Sequence, residues 1–297
     1  MKKRRIKKHS AGSVTFDVIN IILVTLVACI MVYPFINVVA VSLSSYNAYL
    51  SNPLMIIPRE VSFTAFRYVF MNKMIINGYA NTVFITVTGT LLGLLLTVMM
   101  SYALSKKDLP GRGFFMTYVI FTSLFSGGII PGFYLMKSIG LIDSLWALIL
   151  PTMLASFNVV LMKNFFEGLP ANLEEAARID GAGEIKILTD VILPISKPII
   201  ATIALFIAVS YWNSYFSAIL YIRSQSKWTL QLVMREIISS AETTALTAGS
   251  NMAEYGNLPT QSLKYATLVV AILPILCVYP FLQKYFAEGI MVGAIKG

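Results

Sequence analysis

The amino-acid sequence predicts an all-α membrane protein with six transmembrane helices. Of its 297 residues, 57% are hydrophobic and 12% are charged, whereas soluble domains carry about 25% charged residues. The apolar residues gather in six runs, each near the roughly 20 residues that a helix needs to cross a bilayer. The interiors of these runs hold no lysine, arginine, glutamate or histidine, and Asp17 is their only acid. This pattern excludes an ordinary soluble enzyme.

The predicted spans follow one another along the chain and are separated by polar connections. They cover residues 14–41, 80–104, 114–136, 145–162, 199–221 and 265–283. A secretory signal peptide is the alternative for the first run, because residues 2–8 are strongly basic. Its apolar stretch is far longer than the roughly 7–15 residues of a signal-peptide core. We therefore interpret residues 1–13 as a basic tail and residues 14–297 as one transmembrane domain.

The lysines and arginines indicate how the spans are oriented. The chain carries 23 of them against 14 acids, a net charge of +9. With both termini in the cytoplasm, 15 of the 23 lie on the cytoplasmic side, which is the asymmetry that the positive-inside rule describes. The basic tail then anchors the topology beside anionic lipid. A nucleic-acid-binding arm is the weaker alternative, because no aromatic pattern accompanies the tail.

The polar connections differ in length. Two of the external ones, residues 42–79 and 222–264, are long, and we expect them to form short helices on the external surface. Glycines within the spans predict close helix packing or local unwinding. They are Gly93 and the glycines between Gly127 and Gly132, a stretch that also includes Pro131.

One cytoplasmic loop, residues 163–197, is unlike the others because it holds six of the fourteen acids. Pro170, with Asn172 and Glu175 at the spacing of a capping box, predicts the start of a short helix. Gly181 predicts its end, since glycine adopts the left-handed conformation without strain. Apolar residues at helical spacing then predict a second short helix; they are Ile185, Leu188, Val191 and Ile192. These features alone favour an amphipathic segment on the membrane surface.

The same loop contains a longer pattern. It has the sequence Glu175-Ala176-Ala177-x-x-Asp180-Gly181-Ala182, followed by Ile192-Leu193-Pro194 and Pro198. This pattern resembles the EAA loop of bacterial ABC-importer permeases. Trp212-Asn213 is similar to the sugar-permease pattern, and residues 283–297 are similar to the tail of MalG-like carbohydrate permeases. Ile185 and Leu188 stand where that family often has aromatic residues.

The resemblance implies a multi-pass permease subunit of an ATP-driven oligosaccharide importer in the bacterial plasma membrane, and no enzymatic activity. The substrate it implies is an oligosaccharide, such as a fragment of a complex polysaccharide. The implied partners are a second homologous permease, two cytoplasmic ATPase subunits and an extracytoplasmic solute-binding protein. It also implies that the loop is the coupling helix that enters a cleft of the ATPase. The residues it assigns to this coupling are Glu175, Ala176, Ala177, Asp180, Gly181 and Ala182.

The sequence lacks the motifs of several other functions. No G-x-x-x-x-G-K-[ST] occurs, so we expect ATP and magnesium to bind to the partner ATPase and no cofactor in this chain. His9 is the only histidine, and Cys29 and Cys277 lie in apolar runs, which argues against a metal site or a disulfide. Because the spans carry no charged residue at membrane depth, with Asp17 near one end of the first span, an ion-coupled carrier is disfavoured. An ATP-independent carrier or channel for a small polar solute stays the alternative.

Neutral polar and aromatic side chains in the spans are the candidates for a sugar path, because sugars offer hydroxyl groups and C–H faces. The residues that we assign to the path are Asn158, Tyr211, Trp212, Asn213 and Tyr215. The alternative is that each packs or bonds within the helices. The external basic residues Arg223, Lys227 and Arg235 favour an acidic glycan, or else form a solvated face.

Overall fold

The computed structural model describes residues 11–246, 262–277 and 280, and these residues are mostly helical. Two compact units divide the chain. One comprises residues 1–69 and 241–270, and the other comprises residues 70–240 and 271–297. The basic tail up to residue 10 and the C-terminal pattern at residues 283–297 lie outside the described residues.

The first unit contains the long helix α1 (Ala11–Ser42), followed by the short helix α2 (Tyr46–Ser51) and most of α3 (Thr64–Met71). The connection after α2 folds back on α1. The Asn37 side-chain amide donates hydrogen bonds to the carbonyls of Pro53 (3.0 Å) and Met55 (2.9 Å), and the Tyr33 hydroxyl donates one to the Leu54 carbonyl (3.0 Å). The short helices expected in this connection are therefore confirmed.

The second unit begins with α4 (Lys73–Ser105), a continuous helix of 33 residues. The helices that follow are α5 (Arg112–Leu124), α6 (Ile129–Ser138), α7 (Trp146–Ile149), which continues as a 3₁₀ turn to Thr152, and α8 (Ser156–Glu167). Next come α9 (Ala171–Ile179), α10 (Glu184–Lys186), a π-helical stretch at Ile187–Ile192 and α11 (Leu193–Ile195). The chain continues through α12 (Lys197–Trp212), α13 (Phe216–Tyr221), α14 (Leu230–Leu246) and α15 (Ser262–Cys277).

Several predicted spans are broken instead of continuous. Among the described residues, two helices are long and apolar enough to cross a membrane unbroken, at Thr15–Ser42 and Lys73–Ser105. The third predicted span bends by 112° between α5 and α6, and the fourth bends by 47° between α7 and α8. Gly128, with a φ of +87°, lies in the first break, and Ala155 is extended in the second. The count of six continuous helices is therefore not confirmed.

Close packing of α4 against α12 forms the centre of the second unit. A Cβ atom on Gly89 would overlap the ring of Tyr211, and one on Gly93 would lie 2.7 Å from the carbonyl oxygen of Met153. The Tyr211 hydroxyl donates a 2.9 Å hydrogen bond to the Ile149 carbonyl. Small residues at these two positions let the backbones approach, which confirms the packing predicted at Gly93.

Candidate functional site: the loop between the fourth and fifth spans

Helix α9 is the first element of the loop, and its two ends differ from each other. It begins at Ala171 with Pro170 as its N-cap, and no side chain caps it. The predicted capping box is therefore wrong, because the helix starts two residues earlier than a cap at Asn172 requires, and Asn172 lies inside it. At the other end, Gly181 has a φ of +81°, which confirms the predicted left-handed stop.

Two backbone hydrogen bonds fix the turn at Gly181. The amide of Gly181 donates to the Arg178 carbonyl (3.0 Å), and the amide of Ala182 donates to the Ala177 carbonyl (2.9 Å). This pair of bonds is the Schellman arrangement, which satisfies the last carbonyls of a helix. No atom lies within 4 Å of the position that a Gly181 Cβ would take. Glycine is therefore required here by the backbone angle and not by crowding.

An exposed surface surrounds this turn. The predicted coupling residues Glu175, Ala176 and Asp180 are exposed, and Ala177 and Ala182 are half-buried. Two large apolar side chains flank them, Ile179 at 87% and Ile185 at 81% exposure. Exposed apolar residues next to a polar rim are typical of a protein interaction surface. Sequence reasoning did not select Ile179, although its place directly before Asp180-Gly181 was visible.

A cluster of charged side chains ties α9 and α10 to the end of α4. Lys106 forms an ion pair with Glu174, and the Arg178 guanidinium lies 2.8 Å from the Glu184 carboxylate. The Tyr102 hydroxyl donates a 2.8 Å hydrogen bond to Glu184, and the Lys106 ammonium lies 4.0 Å from the centre of the Tyr102 ring. We call these five side chains the loop cluster. No sequence pattern predicts this cluster, because its members come from three separate helices.

The loop cluster holds Glu184 in its charged form. Burial alone would raise the pKa of Glu184, but the hydrogen bonds from Tyr102 and Arg178 outweigh it, so its pKa lies below the ordinary value. The hydrogen bond to Glu184 raises the pKa of Arg178 in turn. Both groups therefore stay charged at neutral pH, and the cluster is an ion-pair network.

A second ion-pair group holds the beginning of the loop. The Lys163 ammonium lies 2.7 Å from the Glu167 carboxylate one helical turn later, and Arg112 at the start of α5 also pairs with Glu167. Beyond α10, Ile187 and Ile192 are almost fully buried in the core. The chain then bends by 86° into α12. The loop is therefore attached to the core at both ends, while its middle is exposed.

The residues predicted for the sugar path do not share one environment. Tyr211 is buried against Gly89, and its hydroxyl donates a hydrogen bond to the Ile149 carbonyl. Trp212 is buried and packs edge-on against Tyr79, with ring centres 5.8 Å apart. Its indole N–H has no hydrogen-bond partner within the described part of the chain. The geometry gives both residues a packing role, and their part in the path stays a prediction.

Asn213, Tyr215 and Asn158 lie in other places. Asn213 is exposed, and its side-chain amide donates a 2.9 Å hydrogen bond to the Val209 carbonyl. Tyr215 is 45% exposed in the break between α12 and α13. Asn158 is buried in α8, beside Val159, whose carbonyl accepts a 3.0 Å hydrogen bond from Ser101 of α4. Asn158 therefore lies on a different helix from residues 211–215 and differs from Asn213 and Tyr215 in being buried.

The connection from Leu141 to Leu145 is held by a side chain that sequence reasoning missed. The Asp143 carboxylate accepts hydrogen bonds from the Arg223 amide (3.0 Å), the Ser224 amide (2.9 Å) and the Ser224 hydroxyl (2.7 Å). It also lies 3.1 Å from the Lys227 ammonium. The hydrogen bond from the Ser224 hydroxyl is the largest cause that lowers the pKa of Asp143. Lys227, one of the basic residues expected either to favour an acidic glycan or to form a solvated face, is therefore paired with Asp143.

Comparisons with known proteins agree with this architecture. Residues 89–292 match the family described as "Binding-protein-dependent transport system inner membrane component". The polygalacturonan/rhamnogalacturonan transport system permease protein YtcP of Bacillus subtilis is 44% identical, over 95% of this chain and 98% of that protein. The arabinooligosaccharides permease protein AraQ of Halalkalibacterium halodurans is 29% identical, over 91% of this chain and 93% of that protein.

A solved structure is similar along nearly the whole chain. It is described as the crystal structure of a bacterial ABC transporter involved in the import of the acidic polysaccharide alginate. Its TM-score is 0.84 at 34% identity, over 94% of this chain and 99% of that one. The resemblance to carbohydrate ABC permeases is thereby confirmed, and the protein is a multi-pass membrane transporter subunit and not an enzyme. The chain belongs to the family of binding-protein-dependent transport system inner membrane components, the permeases of sugar ABC importers.

Proposed function

We propose that this permease forms half of the translocation path of an ATP-driven importer for an acidic oligosaccharide. The observation that carries the proposal is the loop with an exposed apolar tip and an ion-paired base. Two of the similar proteins are described as a permease for polygalacturonan and rhamnogalacturonan and as an importer of alginate. These descriptions support an acidic glycan fragment as the substrate class.

The loop is suited to transmit force from a partner ATPase. Helix α9 is a rigid short element with Ile179 and Ile185 beside its tip. These side chains fit an apolar cleft, since burying an exposed isoleucine contributes about 1.5–3 kcal/mol. At the base, the loop cluster joins α9 to α4. A displacement of the tip is therefore passed to a membrane-spanning helix.

The complete transporter has further subunits in this proposal. They are a second homologous permease, two ATPase subunits that bind ATP with magnesium, and an extracytoplasmic solute-binding protein. The chain has no phosphate-binding motif of its own, which supports placing ATP on the partner. Closure of the ATPases moves the loop and opens the path outward, and the path then receives the oligosaccharide.

Reconstitution tests the transport function. The chain is co-expressed with its second permease and the ATPase, and uptake of trigalacturonate into vesicles is measured with the binding protein present, with and without ATP. We expect the ATPase to co-purify and uptake to require ATP. Uptake that persists without the ATPase would instead identify an ATP-independent carrier.

The orientation belongs to the same proposal. Both termini and the loop face the cytoplasm, an assignment that the distribution of basic residues supports. Single cysteines at Asp108 and Ser226, both exposed, test it after Cys29 and Cys277 are replaced by alanine. In intact cells an impermeant thiol reagent should label the Ser226 position only. Labelling at Asp108 would reverse the topology.

A further inference from the structure

The break between α12 and α13 brings an exposed aromatic ring next to an exposed guanidinium. The Arg235 guanidinium carbon lies 5.8 Å from the centre of the Tyr215 ring, within the range of a cation–π interaction. Tyr215 is 45% exposed, and Arg235 is exposed as well. The pair therefore presents one aromatic face and one positive charge to the same space.

The scaffold beneath this pair is fixed by hydrogen bonds. The Thr229 hydroxyl donates to the Ser214 carbonyl at 3.2 Å, which joins the segment that carries Tyr215 to the start of α14, which carries Arg235. The Leu230 amide donates a 2.8 Å hydrogen bond to the Thr82 hydroxyl of α4. Both residues of the pair are therefore positioned by core elements and not by a free loop.

The charge of Arg235 is available for a ligand. Within the described residues Arg235 forms no ion pair, whereas Lys227, in the same connection, is paired with Asp143. Glu236 is the next residue along α14, and neighbours in sequence do not face each other on a helix. Arginine keeps its charge at any physiological pH and pairs with a carboxylate through two parallel N–H groups.

We propose that Tyr215 and Arg235 form a subsite for a uronic-acid residue of the transported oligosaccharide. The carboxylate of the uronate pairs with the Arg235 guanidinium, and the C–H face of its ring packs on Tyr215. The exposed Asn213 nearby in sequence offers an amide to a sugar hydroxyl. The inference rests on the proposed transport function, and it names the chemical feature of the substrate that this chain recognises.

Direct binding tests the subsite. The complex of this chain with its second permease and ATPase is purified without the binding protein, and its affinity for radiolabelled trigalacturonate is measured by equilibrium dialysis. The neutral methyl ester of trigalacturonate is the matched ligand. Lys137→Met is the control variant, because Lys137 is an exposed basic residue at the end of α6 and has no part in the proposed subsite.

We expect Arg235→Met to weaken trigalacturonate binding roughly 10-fold or more, since losing a charged hydrogen bond has about that effect. The affinity for the methyl ester should change little. Arg235→Lys should retain part of the affinity, Tyr215→Phe should resemble the parent, and Tyr215→Ala should weaken both ligands. Lys137→Met should bind both ligands as the parent does.

Three results would overturn the subsite. They are equal effects of Arg235→Met on the acid and the ester, an equal loss in Lys137→Met, and no binding of trigalacturonate by the parent complex. Loss of the second permease in Arg235→Met would show a subunit contact instead. None of these results depends on whether the ATPase co-purifies with the parent complex. Co-purification of the ATPase therefore tests the proposed function separately from the subsite.

Discussion

The Tyr102 hydroxyl donates a 2.8 Å hydrogen bond to the Glu184 carboxylate, and this bond joins two residues that are 82 positions apart in the chain. Tyr102 lies in the last turn of α4, and Glu184 begins α10. Lys106, one turn beyond Tyr102, pairs with Glu174 of α9. The end of the long helix is therefore held on both sides of the Gly181 turn, and we expect α4 to follow any movement of the loop.

A double-mutant cycle tests this link. Lys106→Met and Glu174→Gln should each lower the uptake per ATP hydrolysed, because each leaves a partly buried charge without its partner. The double variant should lose less uptake per ATP than the sum of the two single losses. Its free energy of unfolding should likewise fall by less than the sum of the two single effects, by a coupling energy of about 0.5–3 kcal/mol. Lys107→Met, at an exposed neighbouring lysine, should behave as the parent. If the effects of the two single variants simply added up in the double variant, the ion pair between Lys106 and Glu174 would contribute nothing to stability or coupling.

Gly181→Val tests the turn at the end of α9. Valine disfavours a φ of +81°, at a cost of about 1–2 kcal/mol for a non-glycine residue. We expect the variant to insert normally but to retain less ATPase or to hydrolyse ATP without transport. Gly183→Val is the matched control, because Gly183 has a φ of −73° and equally open surroundings. The assignment fails if both valine variants couple hydrolysis to uptake as the parent does.

Gly93→Ala tests the packing in the centre of the second unit. The added methyl group would lie 2.7 Å from the Met153 carbonyl oxygen, and such overpacking destabilises by about 1–3 kcal/mol. The thermal unfolding midpoint in detergent should fall. Gly113→Ala should keep or raise the midpoint, since nothing lies within 4 Å of a Cβ there and alanine favours helix. An unchanged midpoint in Gly93→Ala would contradict the close approach.

Asp143→Asn tests the charge at the Leu141–Leu145 connection. Asparagine tolerates the φ of +62° at this position, so the variant removes mainly the negative charge. Because the pKa of Asp143 is lowered in the folded state, its stabilisation is complete above the ordinary carboxyl pKa of about 3.9. It is lost as the pH falls through the folded value.

The thermal midpoint measured at several pH values checks this expectation. The difference between parent and Asp143→Asn should stay constant from about pH 8 to pH 5 and shrink below about pH 4. Asp108→Asn, at an exposed acid, should show no difference at neutral pH. A parent-to-variant difference that vanished at neutral pH would show that the ion pair does not stabilise this connection.

The two ends of α9 show where prediction from the sequence succeeds and where it fails. The helix end at Gly181 was predicted correctly because a positive φ concerns the backbone of one residue. Glycine adopts that angle without steric strain, whatever the rest of the fold does. The capping box at Asn172 and Glu175 was wrong. Pro170, with its fixed backbone angle, is the N-cap and starts the helix at Ala171, and an isolated spacing pattern does not decide between adjacent starting points.

The sequence by itself determined that the chain enters a membrane, where its apolar runs lie and which loop carries the pattern that resembles the EAA loop. These properties depend on local composition, because transfer into lipid is decided segment by segment. The tertiary structure decided the bends within the predicted spans, the burial of Tyr211 against Gly89, and the partners of Glu184 and Asp143. Each of these needs groups from distant parts of the chain to meet. Hydrogen bonds and ion pairs act only within a few ångströms, and only the folded chain sets those distances.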